Sequence, residues 1–151
     1  MDVSNWNTSK VTSMVATFAF TTFNGNLSRW DVSKVTNMSY MFFYAQKFNG
    51  YIKKWNVANV TNMEGMFKYA LSFNVDIGKW DVSNVTNMKH MFAFAQSFNR
   101  NLNKWNVSQV TNMQGTFFYA CAFNGNVSTW DVSKVTNMSG MFKKVPTLEV
   151  I

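Results

Sequence analysis

The sequence is poor in the residues that disulfide frameworks, metal sites and catalytic centres require. It contains one cysteine, one proline and one histidine among 151 residues. A single cysteine cannot form an internal disulfide, so we expect Cys121 to be a thiol without a reactive role. The seven acids are scattered without metal-ligand spacing, and no glycine-rich phosphate loop is present. We therefore expect no catalytic residues, no bound metal, no cofactor and no enzymatic activity.

Long apolar segments are missing as well. No run approaches the ~18 consecutive apolar residues that a membrane-spanning helix needs, so we expect no membrane span. The polar start over 1–10 lacks the apolar centre of a signal peptide, and the chain has no recognisable lipid or wall anchor. Because a periodic pattern begins already at Val3, we regard the chain as a candidate fragment of a longer array.

A 25-residue motif accounts for most of the sequence. Five tryptophans recur at this interval, and each opens nearly the same string: Trp30, Trp55, Trp80, Trp105 and Trp130. Trp6 opens a further, degenerate copy. A fixed period of this length indicates an array in which each repeat buries its apolar face against its neighbours. We predict one domain over 1–151 with about six repeats, which start near residues 3, 27, 52, 77, 102 and 127.

Two apolar spacings follow each other inside each repeat. Trp55 and Val57 alternate around a polar residue, which favours a short strand. The next apolar residues recur at intervals of three and four, as on one face of a helical or 3₁₀ segment: Val60, Met63, Met66, Phe67 and Ala70. We expect Thr61 and Asn62 to cap that segment. The sequence thus predicts a leucine-rich-repeat-like solenoid, with one short parallel strand and a helical or 3₁₀ convex segment in each 25-residue turn.

Equivalent residues of successive repeats should form columns. The six tryptophans and the Met and Phe columns are predicted to be buried core. A threonine column runs through Thr12, Thr36, Thr61, Thr86, Thr111 and Thr136, and an asparagine column through Asn24, Asn49, Asn74, Asn99 and Asn124. Their side chains are predicted to bond backbone and to hold the loops in register. A flat Thr/Asn face that orders water or ice is a remote alternative.

The motif resembles a known family. The resemblance rests on the run Trp30-Asp31-Val32-Ser33-Lys34-Val35-Thr36-Asn37-Met38, with Met41-Phe42, Ala45 and Phe48-Asn49, and it extends over about Val3 to Phe142. It is similar to the BspA-like leucine-rich-repeat surface proteins, in the branch first catalogued as a domain of unknown function in mycoplasma lipoproteins. The resemblance implies an extracellular or cell-surface location.

A candidate binding face surrounds each tryptophan. Four successive repeats place a cation directly before it: Arg29, Lys54, Lys79 and Lys104. Asp and Asn alternate directly after it: Asp31, Asn56, Asp81, Asn106 and Asp131. A net charge of +7 favours anionic partners, and a row of cations suits a linear polyanion. The expected partner is a protein or acidic glycan on a surface, and nucleic acid would bind without specificity. Charge balance between the two columns is the alternative explanation.

A second candidate surface is aromatic. Tyr44, Tyr69, Phe94 and Tyr119 share one position, which we place on the flank of the predicted helical segment. They either pack between repeats or form an exposed contact strip. The leading interpretation of the whole chain is a non-enzymatic recognition or adhesion module of a microbial surface protein. The alternative is a structural spacer that associates with itself end to end.

Overall fold

The structure, a computed structural model, describes residues 1–146; residues 147–151, at the end of the predicted domain, lie outside the described residues. Over 1–146 the chain contains no α-helix, no 3₁₀ helix and no strand longer than one bridged residue. One residue of each repeat forms a parallel bridge to a neighbouring repeat: Ser13, Asn37, Asn62, Asn87, Asn112 and Asn137. The architecture is therefore built almost entirely from turns.

The predicted leucine-rich-repeat-like solenoid is wrong in both of its elements. Where Trp55 and Val57 predict a strand, the chain turns at 53–54 and again at 58–59. The parallel bridge lies beyond that segment, at Asn62. Where the spacing predicts a helical or 3₁₀ convex segment, residues 64–69 and 71–72 form turns. The described residues therefore have neither a strand face nor a helical side.

Consecutive β-turns produce the apolar spacing of three that resembles a helix. A β-turn is closed by a bond from the N–H of its fourth residue to the carbonyl of its first. Val60 donates in this way to Val57 at 2.9 Å, and both side chains are buried. Further turns of the same repeat join Ile52 to Trp55, Met63 to Met66, Phe67 to Ala70 and Ala70 to Phe73. The first and last residues of each of these turns are buried and three residues apart, so the apolar spacing of three arises without any helix.

Two residues in each repeat have a left-handed backbone, which is incompatible with a continuous helix. In one repeat they are Gly65 at φ 59° and Tyr69 at φ 60°. The first position is occupied by Ala16, Tyr40, Gly65, His90, Gly115 and Gly140, and the second by Phe20, Tyr44, Tyr69, Phe94, Tyr119 and Lys144. A bulky residue in this conformation costs about 1–3 kcal/mol and persists only where its surroundings hold it.

Alternate backbone N–H groups of the turn segment point to the next repeat. Gly65 donates to the carbonyl of Lys89 at 2.8 Å, and Phe67 donates to that of Met91 at 2.9 Å. The N–H of Met66, which lies between them, closes a turn within its own repeat. This alternation satisfies the backbone polar groups along the core without a strand ladder.

Asparagine and aspartate side chains begin the turns. Asn56 Oδ1 accepts the N–H of Ala58 at 3.1 Å, and Asn62 Oδ1 accepts that of Glu64 at 2.9 Å. These are Asx-turns, in which a side chain replaces a backbone acceptor. Asn62 therefore starts a turn, and the predicted helix cap at Thr61 and Asn62 is wrong.

The predicted core columns are confirmed in the interior repeats, and the exceptions lie at the two ends, where Trp6 and Met138 are exposed. The tryptophans from Trp30 to Trp130 are 3–9% exposed, whereas Trp6 is 59% exposed. Phenylalanine rings of adjacent repeats lie parallel, as in the pair Phe42 and Phe67, whose centroids are 5.6 Å apart at an interplanar angle of 2°. The methionines of the interior repeats fill the space beside these rings with no exposed surface.

Candidate binding surface

The four cations that precede tryptophan lie on one exposed edge of successive repeats, which we call the basic ridge: Arg29, Lys54, Lys79 and Lys104. Each is the second residue of a two-residue turn, at 28–29, 53–54, 78–79 and 103–104. Because the residue that follows is a buried tryptophan, each turn holds its cation at the surface. The predicted exposure of these side chains is confirmed, and their part in binding stays a prediction. The equivalent residues of the first and last repeats, Asn5 and Thr129, are uncharged.

The Asp/Asn column has a structural task that sequence reasoning missed. All five predicted members are exposed, and each accepts the N–H two residues further on: Asp31, Asn56, Asp81, Asn106 and Asp131. For Asp81, the hydroxyl and N–H of Ser83 hold the pKa of the carboxyl below its ordinary value. The same two donors from the serine two residues on lower the pKa values of Asp31 and Asp131. Hydrogen bonds within their own turns position these carboxylates, and the predicted charge balance with the cations does not.

Tyr51 is the residue of this surface that the sequence analysis did not single out. It lines a shallow depression on the basic ridge together with Lys53, Lys54, Trp55 and Lys79. Its side chain is 47% exposed. The signal was present in the sequence, because the equivalent positions of the neighbouring repeats are Asn26 and Asp76. Only the structure explains why Asn or Asp belongs there: both begin Asx-turns.

The aromatic strip is a ladder of rings in contact, in which Phe94 stacks on both of its neighbours and Tyr44 is tilted by 34° against Tyr69. The centroids of Tyr44 and Tyr69 are 4.6 Å apart, those of Tyr69 and Phe94 are 4.3 Å apart, and those of Phe94 and Tyr119 are 5.1 Å apart. Tyr44 is 37% exposed and the other three are half-buried. The predicted position on a helix flank is wrong, since these residues occupy left-handed turn positions. The contacts between these rings favour packing over an exposed contact strip.

One further residue extends this ladder. Phe20, which is 71% exposed, lies 5.4 Å from Tyr44. Phe20 follows Trp6 by 14 residues, as Tyr44 follows Trp30, so the sequence already aligns the two positions. The shared left-handed backbone, with φ 59° at Phe20 and φ 58° at Tyr44, agrees with this alignment.

The threonine and asparagine columns join one repeat to the next. Thr61 donates its N–H to the carbonyl of Thr36 at 2.8 Å, and its hydroxyl donates to the same oxygen at 3.3 Å. Asn49 Oδ1 accepts the N–H of Asn74 at 2.9 Å, and this bond recurs along the column. The predicted role in register is confirmed. Because the hydroxyl proton of Thr61 is used inside the stack, the geometry favours that role over the water-ordering alternative.

Chemistry-bearing side chains are dispersed. Among residues 1–146 no group of three or more His, Cys, Asp or Glu side chains is placed to hold a metal ion. His90 is half-buried, and its burial, followed by the charges of Lys68 and Lys89, lowers its pKa. Its ring lies over Gly115, where an added Cβ would overlap it. His90 is thus a packing residue in this arrangement.

The described part of the chain has no helix that could cross a membrane.

The repeats match one family model. Two overlapping matches extend over residues 1–94 and 50–150, and so include every repeat. No curated protein matches the chain. No solved structure matches it either. The chain belongs to the family described as Mycoplasma protein of unknown function, DUF285.

Proposed function

We propose that this chain is a non-enzymatic recognition module that binds a linear acidic glycan along the basic ridge. Its setting in this proposal is adhesion, at a microbial cell surface or outside the cell, as the resemblance to the BspA-like surface proteins implies. The support from the molecule is the depression at Tyr51, the lack of ion pairs at the ridge cations among the described residues, and the repetition of these cations in four successive repeats.

The position of Tyr51 carries the proposal. The residues that correspond to it each accept an N–H from two residues further on: Asn26, Asp76, Asn101 and Asn126. Tyr51 lacks a side-chain acceptor for this bond, and a typical hydrogen bond of this kind contributes about 1 kcal/mol. The tyrosine instead places an exposed ring beside Lys53, Lys54 and Lys79. Departures from a local structural rule are expected at functional or strained sites, and we assign this one to binding.

The cations of the ridge are available to a ligand. Over residues 1–146 the ion pair that forms joins Lys53 to Asp76, at 3.8 Å, and both partners are partly exposed. Lys54, Lys79 and Lys104 form no ion pair within the described residues, and Arg29 donates a hydrogen bond to the uncharged Asn5 at 3.2 Å. A row of unneutralised cations at the spacing of successive repeats attracts a linear polyanion. Exposed cations of this kind are screened by salt, so binding should weaken as ionic strength rises.

The aromatic content of the ridge favours a glycan over a nucleic acid. Grooves for single-stranded nucleic acid repeat their aromatic platforms along the strand, so that successive bases stack. Within the described residues the basic ridge has one exposed ring, Tyr51, and the corresponding positions of the other repeats are Asn or Asp. One ring among several cations suits one sugar ring of a charged chain.

Two charge-matched variants test the ridge. In the first, all four ridge cations become glutamine: Arg29→Gln, Lys54→Gln, Lys79→Gln and Lys104→Gln. In the control, four exposed lysines elsewhere become glutamine: Lys10→Gln, Lys34→Gln, Lys47→Gln and Lys134→Gln. Both variants lose the same net charge, so a difference in binding reports position alone.

Binding to a sulfated oligosaccharide, to a neutral dextran and to single-stranded DNA is measured by calorimetry at low and moderate salt. We expect the ridge variant to lose at least about tenfold in affinity for the sulfated oligosaccharide, which is about 1.4 kcal/mol. The control should lose much less, and dextran should not bind. Equal losses of affinity in both variants would mean that only the net charge of the protein matters and that the ridge is not a specific binding site. Tighter binding of DNA than of the oligosaccharide would reject the glycan.

A further inference from the structure

The stack of repeats has a direction that its backbone bonds define. In every interior repeat, four alternate N–H groups donate to carbonyls of the following repeat. The middle of the chain shows the pattern in the donors Met63, Gly65, Phe67 and Tyr69 and the acceptors Asn87, Lys89, Met91 and Ala93, at 2.8–3.0 Å. Donors therefore face the C-terminal end of the stack and acceptors face the N-terminal end.

The two ends of the described chain are left with complementary groups. At the last repeat, the N–H groups of Met138, Gly140, Phe142 and Lys144 have no acceptor within residues 1–146. At the first repeat, the carbonyls of Ser13, Val15, Thr17 and Ala19 have no donor within the same range. These groups occupy the positions that are paired between every other two repeats. Four donors at one end thus match four acceptors at the other.

Three more hydrogen bonds of the repeat pattern run the other way, from a donor in one repeat to an acceptor in the preceding repeat. At the two ends of the described chain these donors and acceptors also lack partners. Each interior threonine N–H donates to the preceding threonine carbonyl, which leaves Thr12 as a donor and Thr136 as an acceptor. The asparagine column leaves the N–H of Asn24 and Oδ1 of Asn124 in the same way. The indole N–H of each buried tryptophan donates to the preceding repeat, and that of Trp6 has no such acceptor in the described residues.

The apolar columns end at the same two surfaces. Val132 is 36% exposed and Met138 is 41% exposed, although the equivalent interior residues Val57 and Met63 are 1% and 0% exposed. Trp6 at the other end is 59% exposed, against 4% for Trp80. Each end therefore exposes the groups that two adjacent interior repeats bury against each other, and its polar and apolar groups have the same arrangement as at those interior contacts.

We propose that a second copy of this chain docks head to tail, with its first repeat on the last repeat of its partner. Met138, Gly140 and Phe142 then donate to Ser13, Val15 and Thr17 of the second copy, and the aromatic columns continue across the junction. A head-to-head arrangement would leave the four open carbonyls of each first repeat without the four N–H groups of a last repeat, and a tail-to-tail arrangement would leave those N–H groups without the carbonyls. The bonding pattern therefore selects the heterologous, open-ended association, which forms chains instead of closed dimers. The basic ridges of successive copies would be separated at the junction by the uncharged Thr129 and Asn5.

Two blocked variants test this arrangement. The first carries Trp6→Lys and Thr17→Lys and charges the N-terminal end; the second carries Val132→Lys and Met138→Lys and charges the C-terminal end. All four positions are already exposed or at the margin of exposure, so the core should persist. Gln96→Lys with Ser97→Lys adds the same charge to the side of an interior repeat and serves as control. Near-ultraviolet circular dichroism checks that each variant is folded.

Sedimentation equilibrium gives the outcome. We expect the mass of the parent and of the control to rise with concentration above 17.4 kDa, while each blocked variant stays at that mass. An equimolar mixture of the two blocked variants should reach about twice the monomer mass, because one open end of each kind is available. A parent that stays monomeric at about 1 mM would overturn the proposal, since the dissociation constant would then exceed the millimolar range. Self-association of either blocked variant, or a mixture that stays monomeric, would also overturn it.

Hydrogen exchange of the unmodified protein provides an independent measurement. The amides of Met138, Gly140 and Phe142 should exchange rapidly in dilute solution and become protected as concentration rises. The equivalent interior amides, such as that of Gly65, should be protected at all concentrations. Exchange of the terminal amides that is independent of concentration would contradict docking at this end.

Discussion

The indole N–H of Trp80 donates to the carbonyl oxygen of Ile52, 3.2 Å away in the preceding repeat. The same bond ties Trp30, Trp55, Trp105 and Trp130 to the repeat before each of them. Each tryptophan therefore fills the core of its own repeat and also satisfies a buried acceptor of its neighbour. This double role explains why the residue recurs without substitution.

Replacement of Trp80 should be among the most destabilising single changes. We expect Trp80→Ala to lower the free energy of unfolding by about 3–5 kcal/mol, since it removes a large buried side chain between two neighbours. Trp6→Ala is the matched control, because Trp6 is 59% exposed and has no acceptor for its indole in the described residues. Urea denaturation measures both. Similar midpoints for the Trp80 variant and the parent would refute its place in the core.

The period, the core columns and the exposure of the basic ridge could be predicted from the sequence. They depend on which residues recur, and recurrence at a fixed interval forces equivalent positions into equivalent environments. The five tryptophans from Trp30 to Trp130 illustrate this. Trp6 does not, because each buried tryptophan packs against the repeat before it, and among the described residues no repeat covers Trp6 on that side.

The local conformation could not be predicted from the same spacing. Intervals of three between Val57 and Val60 or between Phe67 and Ala70 suit a helix, but the first and last residues of a β-turn are equally three apart. The left-handed backbone at Tyr69 decides between them, and an aromatic residue gives no sign of it. The part of Tyr51 in the candidate site could not be predicted for a similar reason. Tyr51 is conspicuous only once Asn26 and Asp76 are seen to begin turns.

Gly115 and Gly140 share a left-handed backbone conformation but differ in how close other atoms lie. Alanine substitutions at the two positions therefore distinguish backbone strain from steric overlap. Gly115 has φ 59° and Gly140 has φ 65°, so alanine at either position adopts a disfavoured conformation, at a cost of about 1 kcal/mol. Only at Gly115 would the new Cβ overlap the ring of His90, whereas the nearest atom to a Cβ at Gly140 is 3.6 Å away. We expect Gly115→Ala to lower the melting temperature more than Gly140→Ala.

A double variant checks that interpretation. His90→Ala combined with Gly115→Ala should show a smaller loss than the sum of the two single changes, because the overlap is then absent. Strict additivity would mean that the ring of His90 moves aside without cost.

The aspartates of the Asp/Asn column should make stability depend on pH in the acid range. The pKa values of Asp31, Asp81 and Asp131 are lowered from 3.8 in the folded state, mainly by bonds from the serine two residues on. The unfolded state therefore binds more protons as the pH falls. Their stabilising effect is fully present above the unfolded value and is lost as the pH falls through the lower folded value.

Asparagine keeps the turn but cannot titrate, as Asn56 and Asn106 show. We expect the triple variant Asp31→Asn, Asp81→Asn and Asp131→Asn to lose less unfolding free energy than the parent between neutral pH and about pH 3. The reverse change, Asn56→Asp, should steepen the dependence. Urea titrations at several pH values measure both, and identical pH profiles for all three proteins would contradict the assignment.

The most direct test of the proposed function is the substitution Tyr51→Asn, measured for both glycan affinity and stability. It restores the Asx residue that the other repeats use, so stability should be unchanged or slightly higher. Affinity for the sulfated oligosaccharide should nevertheless fall by about tenfold, because the exposed ring beside Lys54 and Lys79 is lost. A variant that gains or keeps stability while it loses binding is the result that we predict. A Tyr51→Asn variant that binds the oligosaccharide as tightly as the parent would contradict the proposed site.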